Sequence, residues 1–207
     1  MNRRMLLWWG LGCLAVATAI GAVVVFGHTE TPGFDSWWNE LIAGIRGDWM
    51  YAFALGLNWI GGGWVATFAV PLLAILALVI ARRWRGAVFA AACFALSAGA
   101  VQLLKQLFGR ARPDDMLVVS DYGSFPSGHT ANAATIALVL WVLVPKVWTA
   151  IIGALWVVAM ALSRTFLSVH WASDTLGGAL VGAGVVLVLA AWLLPWAQRS
   201  RVEAVER

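Results

Sequence analysis

Six basic or imidazole side chains, Lys105, Arg110, Arg112, His129, Arg164 and His170, fall between stretches that are almost wholly apolar. Each sits at the end of an apolar segment or in the loop beyond it. Charges at membrane depth are costly and point to function. They form three groups. The first reads KQLFGRARP, from Lys105 to Pro113. Lys105 and Arg112 are seven residues apart, two helical turns, so both share one face if the helix extends that far. Pro113 disfavours helix at the residue before it and sets Arg112 near the helix end. Two such cations can clamp one polyanion, Arg112 as a planar fork and Lys105 as a point charge. The same residues also suit an ordinary basic membrane flank.

The second group is Phe125, Pro126, Ser127, Gly128, His129 and Thr130, directly before an apolar segment. Pro and Ser open a helix, and Gly128 permits close approach of a ligand to the backbone. A helix N-terminus offers unpaired N–H groups and a positive dipole end, which suit phosphate. His129 in that first turn is a candidate proton donor; a plain helix cap with an incidental His is the simpler alternative. The third group is Ser163, Arg164, His170 and Asp174. A carboxylate four residues after a His can accept the imidazole N–H and leave the other nitrogen free as nucleophile or base. Alone, such a pair also fits a surface hydrogen bond. Together the groups supply cations, a helix N-terminus, an oriented His and a second His. Those are the parts that metal-free phosphoryl transfer through a phosphohistidine requires.

The elements that hold these groups belong to a membrane protein. The chain is 62% apolar and 12% charged, where a soluble domain carries about 25% charged residues. No formal charge occurs between Arg4 and Glu30, nor between Asp48 and Arg82, and about 20 apolar residues suffice to cross a bilayer. The predicted fold is an all-α integral membrane protein with six transmembrane helices, at 5–26, 64–81, 87–104, 130–144, 147–162 and 175–194. Short interfacial helices on the extracytoplasmic side complete it. Gly61, Gly62 and Gly63 break the block that begins at Trp49, leaving a shorter helix at 50–60 near the outer surface. Over 33–44, Phe34, Trp37, Trp38, Leu41 and Ile42 recur at helical spacing. Asp35, Ser36, Asn39 and Glu40 take the other face, as in a helix lying in the interface plane. Residues 1–207 read as one membrane domain, with a catalytic core at 100–195 and an interfacial helical segment at 33–60.

Charge sets the orientation. With both termini cytoplasmic, the inner segments hold Arg3, Arg4, Arg82, Arg83, Arg85, Lys146, Arg199, Arg201 and Arg207 against Glu203 and Glu206. The outer segments hold Glu30, Asp35, Glu40, Asp48, Asp114, Asp115, Asp121 and Asp174. This predicts a multi-pass protein of the cell (inner) membrane whose three groups all lie on the extracytoplasmic face. Arg3 and Arg4 before an apolar run would also fit a cleaved signal peptide. That run exceeds the usual apolar core of about 7–15 residues and no small-residue cleavage site follows, so an uncleaved anchor is expected. The pI of about 9.7 does not imply a nucleic-acid partner, because the basic residues flank apolar segments instead of forming a stripe. Cys13 and Cys93 lie inside apolar blocks and read as small buried hydrophobes.

The pattern K-x6-R-P (Lys105, Arg112, Pro113), P-S-G-H (Pro126 to His129) and S-R-x5-H-x3-D (Ser163, Arg164, His170, Asp174) resembles the three-part signature of the type-2 phosphatidic acid phosphatase superfamily. The resemblance implies that His170 attacks phosphorus with Asp174 orienting it. His129 would protonate the leaving oxygen and then activate water. Lys105, Arg112, Ser127, the Gly128 backbone and Arg164 would hold the phosphoryl oxygens. It implies no metal and no cofactor. The short six-span form resembles bacterial enzymes acting on phosphatidylglycerophosphate, undecaprenyl diphosphate or related lipids.

The function expected is therefore hydrolysis of a lipid phosphate or diphosphate headgroup, with the tail left among membrane lipids. Transfer of the phosphoryl group from lipid to an acceptor is an alternative. A non-catalytic lipid or anion transporter is another, although it has no need of the His170–Asp174 pair. Vanadate-dependent haloperoxidases resemble the same motif set but are soluble. Outside the signature, Arg110, Asp114, Asp115 and Asp121 lie in the loop over the site and are expected to be solvated, with steering of headgroups the alternative, and His28 is expected to be an interface residue. Most tryptophans are expected to anchor at the interface, with Trp37, Trp38 or Trp171 the candidates for lining lipid access.

Overall fold

Where a bilayer is the solvent, a backbone satisfies its own hydrogen bonds only in helices or closed barrels, and the apolar blocks of this chain fold as helices. A computed structural model describes residues 2–27, 33–61 and 64–203. The expectations for His28, Glu30, Gly62, Gly63, Glu206 and Arg207 lie outside the described residues, as do those for the side chains of Arg199, Arg201 and Glu203. Among the described residues there are eight α-helices: α1 Arg3–Phe26, α2 Gly33–Ile45, α3 Asp48–Gly61, α4 Val70–Ile80, α5 Trp84–Phe108, α6 Gly128–Leu143, α7 Val147–Phe166 and α8 Ala172–Glu203. Four of them, α1, α5, α7 and α8, are long and apolar enough to cross a membrane, while α4 and α6 are shorter apolar helices. The predicted end at 194, ahead of Pro195, is not a helix end: α8 continues through Pro195. Proline is tolerated within membrane helices because local adjustments and neighbouring groups satisfy the freed carbonyl.

The central helix is α8, which packs against α1, α5 and α6. Small residues permit this. A side-chain carbon at Gly178 or Gly182 would run into the carbonyl oxygens of Ser127 and Ala131 on α6, so the two backbones meet directly. That approach sets the first turn of α8 beside the start of α6, where Ser127 N donates to Asp174 O at 2.9 Å. Two motifs distant in sequence are thereby joined.

A π-helical turn, Val65–Ala69, precedes α4. In that i→i−5 register the partner of Pro71 would be the carbonyl of Ala66, but proline has no N–H to give. Asn132 of α6 donates to it instead, Nδ2 to O at 2.8 Å. At the far end of the bundle, Arg3 lies over the Trp192 ring at 3.8 Å and Arg83 Nη2 donates to Leu143 O at 3.3 Å. The basic flanks thus gather at the end opposite the three motifs. Large apolar side chains such as Leu72, Ile80, Ile151 and Leu155 are exposed on the flanks of the bundle, as a surface solvated by lipid requires.

The amphipathic helix α2 forms where expected, and it turns one polar residue, Asp35, and one apolar residue, Ile42, inward. Asp35 is buried, while Phe34, Trp37, Leu41 and Ile45 are exposed. The reason is a set of ionic partners at the site itself.

Candidate active site

Helix α5 stops at Phe108 because Gly109 adopts the left-handed conformation (φ 53°) and returns its N–H to Lys105 O at 2.9 Å. Arg112 is therefore not on the helix, and the expected shared helix face with Lys105 does not exist. The two cations converge by another route. Lys105 Nζ lies 3.0 Å from both carboxylate oxygens of Asp121. Arg112 Nη2 donates to Asp121 Oδ1 at 2.6 Å, and its Nε to Asp121 O at 3.0 Å. Burial alone would raise the Asp121 carboxyl, but the hydrogen bond and charge of Lys105, with Arg112 and His170 adding to them, hold it below the usual carboxylate value.

Beyond Gly109, Arg110 and Arg112 both turn toward the loop between α7 and α8. Arg112 Nη1 donates to Val169 O and lies 3.3 Å from His170 Nε2. On the other side of the imidazole, Nδ1 is 3.5 Å from Asp174 Oδ2, longer than a well-formed hydrogen bond. Both oxygens of Asp174 have other partners as well: Oδ2 accepts from Trp171 N at 2.9 Å and Oδ1 from Arg110 Nη1 at 2.5 Å. His170 is buried, and burial pushes its pKa down to about 4, Asp174 opposing the shift and the charges of Arg112 and Lys105 adding to it. The ring is therefore neutral at neutral pH. A proton on Nδ1, the nitrogen facing the carboxylate, leaves the Nε2 lone pair on the side of the cations.

His129 stands in the first turn of α6, as expected. Ser127 is the N-cap of that helix, its Oγ accepting from Thr130 N at 3.5 Å and from Thr130 Oγ1 at 3.2 Å. Arg164 is buried near the end of α7. Its Nη1 donates to Asn58 Oδ1 at 2.6 Å and its Nε to Ser163 Oγ at 3.1 Å, and Nη2 is buried without a hydrogen-bond partner among the described residues. A cavity of about 650 Å³ opens beside these groups. Lys105, Asp121, Gly128, His129 and His170 line its polar part, and Trp59, Trp64, Val65 and Pro71 contribute apolar wall. Arg112, Ser127, Arg164 and Asp174 do not line this cavity but adjoin residues that do. A smaller cavity of about 140 Å³, almost wholly apolar, also begins at His129 and runs along α6 and α7. Among the described residues, no three His, Cys, Asp or Glu side chains gather as a metal site would need.

The family model of the PAP2 superfamily matches residues 86–198, more than half of the chain and every residue of the three motifs. The chain belongs to the PAP2 superfamily. Phosphatidylglycerophosphatase B of Bacillus subtilis (strain 168) is 29% identical to it over 151 residues, 67% of this chain and 72% of that protein. Decaprenylphosphoryl-5-phosphoribose phosphatase of Mycobacterium tuberculosis is 34% identical over 142 residues, 66% of this chain and 76% of that one. The crystal structure of a transmembrane PAP2-type phosphatidylglycerolphosphate phosphatase from Bacillus subtilis superposes with a TM-score of 0.75 at 25% identity, covering 88% of this chain and 94% of that one. The matched relatives are phosphatases. With several apolar helices and membrane-embedded relatives, this PAP2 chain is a multi-pass membrane protein.

Of the loop residues expected to be solvated, Asp114, Asp115 and Asp121 are exposed and Arg110 is the exception. Arg110 is not solvated: it is 8% exposed and paired with Asp35 and Asp174. Asp121 is exposed, as expected, and is also bound by two cations. Asp115 accepts from Asn39 Nδ2 at 3.1 Å and from Ser168 Oγ at 2.8 Å; burial would raise its carboxyl, but those bonds and the charge of Arg46 hold it low. The tryptophans at the large cavity are Trp59 and Trp64, whereas Trp37, Trp38 and Trp171 line neither cavity. The one local signal was the spacing of Arg110 and Arg112, two apart after a helix-ending glycine, which aims both the same way in extended chain.

Proposed function

We propose that this PAP2 chain is a metal-independent membrane phosphatase that releases phosphate from a lipid monoester or diphosphate headgroup, through a phosphohistidine on His170. Phosphatidylglycerophosphate, undecaprenyl diphosphate and phosphatidic acid are the substrate classes in view. The observation that carries the reading is the setting of His170: a neutral imidazole with a carboxylate beside Nδ1, and a guanidinium and an open cavity beside Nε2.

The reaction divides into two displacements. Nε2 of His170 attacks phosphorus, the N–P bond forms, and the bond to the lipid oxygen breaks as His129 delivers a proton to that oxygen. Asp174 stabilises the charge that develops on the imidazole. Water then attacks phosphorus while His129 takes its proton, the N–P bond breaks, and His170 returns to neutral. Lys105, Arg112, Ser127, the Gly128 N–H and Arg164 spread the charge of the transferring phosphoryl group. The unpartnered Nη2 of Arg164 supports its part in this set. The apolar wall of the cavity suits a lipid tail lying beside a charged headgroup.

The same reading takes residues 1–207 as a single domain with a catalytic core at 100–195 and an interfacial segment at 33–60. It takes six spans, α1, the π-turn with α4, α5, α6, α7 and α8, with both termini cytoplasmic and the site extracytoplasmic. Gathering of the basic flanks at the end opposite the motifs supports that orientation. The test is incubation with ³²P-labelled lipid, denaturing quench at alkaline pH at short times, and recovery of acid-labile, base-stable label on the protein. His170→Ala should abolish both the label and phosphate release while remaining folded in detergent. Full phosphate release by that variant would overturn the mechanism.

A further inference from the structure

Arg110 lies outside the three motifs yet holds the most buried ionic arrangement near the site. Its Nη1 donates to Asp174 Oδ1 at 2.5 Å and to Ser173 Oγ at 2.8 Å, and its Nη2 donates to Asp35 Oδ2 at 2.7 Å. Asp35, 1% exposed, also accepts from Ser173 N at 2.9 Å and from Ser173 Oγ at 2.5 Å. Two buried carboxylates thus share one guanidinium. A buried charge is tolerated only when paired, and a planar fork satisfies two acceptors where an ammonium could not do so with fixed geometry. Asp35 belongs to α2, far from the motifs in sequence, so this contact has a cost in ordering that packing alone does not explain.

A second clamp joins the same helix to the same loop. Arg46, just beyond α2, donates Nη2 to Ser168 Oγ at 2.6 Å, and Ser168 Oγ donates to Asp115 Oδ2 at 2.8 Å. Ser168 holds a left-handed backbone (φ 50°) two residues before His170. The segment that carries His170 is therefore gripped on one side at Ser168 by Arg46, just beyond α2, and on the other at Ser173 by Asp35 of α2, with Arg110 bridging Asp35 to Asp174.

We propose that Arg110 is a positioning residue for the His170–Asp174 pair, and that Asp35 makes the amphipathic helix α2 part of the catalytic apparatus by fixing Arg110. The inference rests on His170 and Asp174 being the reacting pair. Asp174 Oδ2 has a choice of partners, Trp171 N and His170 Nδ1. Arg110 fixes the other oxygen and so sets the plane of the carboxylate, leaving Oδ2 aligned for the imidazolium that forms during transfer. Arg110 lines neither cavity, so its loss should spare lipid binding.

The experiment measures phosphate release from phosphatidic acid in detergent micelles, with thermal unfolding of each variant as the control for folding. Arg110→Gln alone leaves two buried carboxylates without a cation and should be destabilised. The double variant Asp35→Asn with Arg110→Gln restores the net charge of the wild-type cluster, with Asp174 as its one carboxylate, still held by Trp171 N, and should regain most of that stability. In it, kcat should still fall on the order of 100-fold, the loss typical of a misaligned reacting group, with KM changed less than about twofold. Recovery of wild-type kcat along with stability would make Arg110 a structural residue only and overturn the proposal. Should the double variant not fold, Asp35→Ala decides: it leaves Arg110 paired with Asp174 and should lower kcat about tenfold at unchanged KM, whereas wild-type kcat overturns the role of α2. Asp174→Asn runs in parallel. Full activity in that variant removes the reacting pair itself, an outcome distinct from failure of the Arg110 assignment.

Discussion

The carboxylate of Asp121 sits between Lys105 Nζ, 3.0 Å from each of its oxygens, and Arg112 Nη2, 2.6 Å from Oδ1. It is an anion held by the two side chains proposed to hold phosphate, on the wall of the cavity that also contains His170. Lys105 and Arg112 are nearly buried, while the Asp121 side chain is 63% exposed. The carboxylate can therefore swing out to solvent at little cost, whereas the cations cannot.

Asp121→Asn should accordingly tighten anion binding. A phosphate headgroup must displace a charged partner in the wild type and a neutral amide in the variant. Exposed ion pairs are worth about 0–1 kcal/mol, so KM for phosphatidic acid and the inhibition constant of orthovanadate should each fall by about two- to fivefold. Steady-state kinetics with vanadate titration reads both. An increase in both constants would show that Asp121 orients the cations instead of competing for them.

The pH dependence follows from His170. Its imidazole is neutral down to about 4, against an ordinary value of 6.5. Attack needs the neutral ring, so protonation of His170 should not lower kcat/KM until pH nears about 4, and below that it should fall about tenfold per unit. Stability moves in the same direction. Between pH 6.5 and 4 the unfolded chain binds a proton at His170 that the folded chain refuses, so stability is lost as pH falls through that window. Phosphate release and thermal unfolding across pH 3.5–8 check both. An acid limb near pH 6.5 would mean that burial does not shift His170 during turnover.

Activity should survive chelation. The proposed charge-stabilising groups are Lys105, Arg112, Arg164 and the start of α6, all parts of the chain itself. Preincubation with EDTA should leave the initial rate of phosphate release within about 20% of its untreated value, since no step in this scheme passes through a metal ion. Loss of activity, restored by added Mg²⁺, would refute the scheme.

Most helices and all three motifs were legible in the sequence, because each is recorded locally. An apolar run without charges marks a helix in lipid, and PSGH before such a run marks its N-terminus. What was not legible depends on partners distant along the chain. Arg110 looked like one more loop arginine because its acceptors, Asp35 and Asp174, are separated from it by 75 and 64 positions. Asp35 looked like the outer polar face of an interfacial helix because amphipathic periodicity gives two faces and does not say which turns inward. The single-face reading of Lys105 and Arg112 failed at one residue, Gly109. A left-handed C-cap ends the helix there, and periodicity alone carries no record of it.

The last expectation concerns the contact that brings the motifs together. The second motif reaches the third because α8 approaches α6 at Gly178 and Gly182, where an added methyl would strike the carbonyls of Ser127 and Ala131. Backbone cannot yield as a flexible side chain does, so Gly178→Ala must push the helices apart or tilt one against the other. Overpacking of this kind costs about 1–3 kcal/mol. The displacement falls beside Ser127 N and Asp174 O, whose 2.9 Å hydrogen bond joins the cap of α6 to the backbone of the residue whose carboxylate faces His170. A shift of about 1 Å there should lower kcat on the order of 100-fold, with lipid affinity much less affected. Gly56→Ala on α3, where an added methyl meets nothing within 4 Å, is the control and should behave as wild type. Thermal unfolding in detergent with kcat and KM for both variants gives the answer; wild-type kcat in Gly178→Ala would mean that this backbone contact does not hold the site in register.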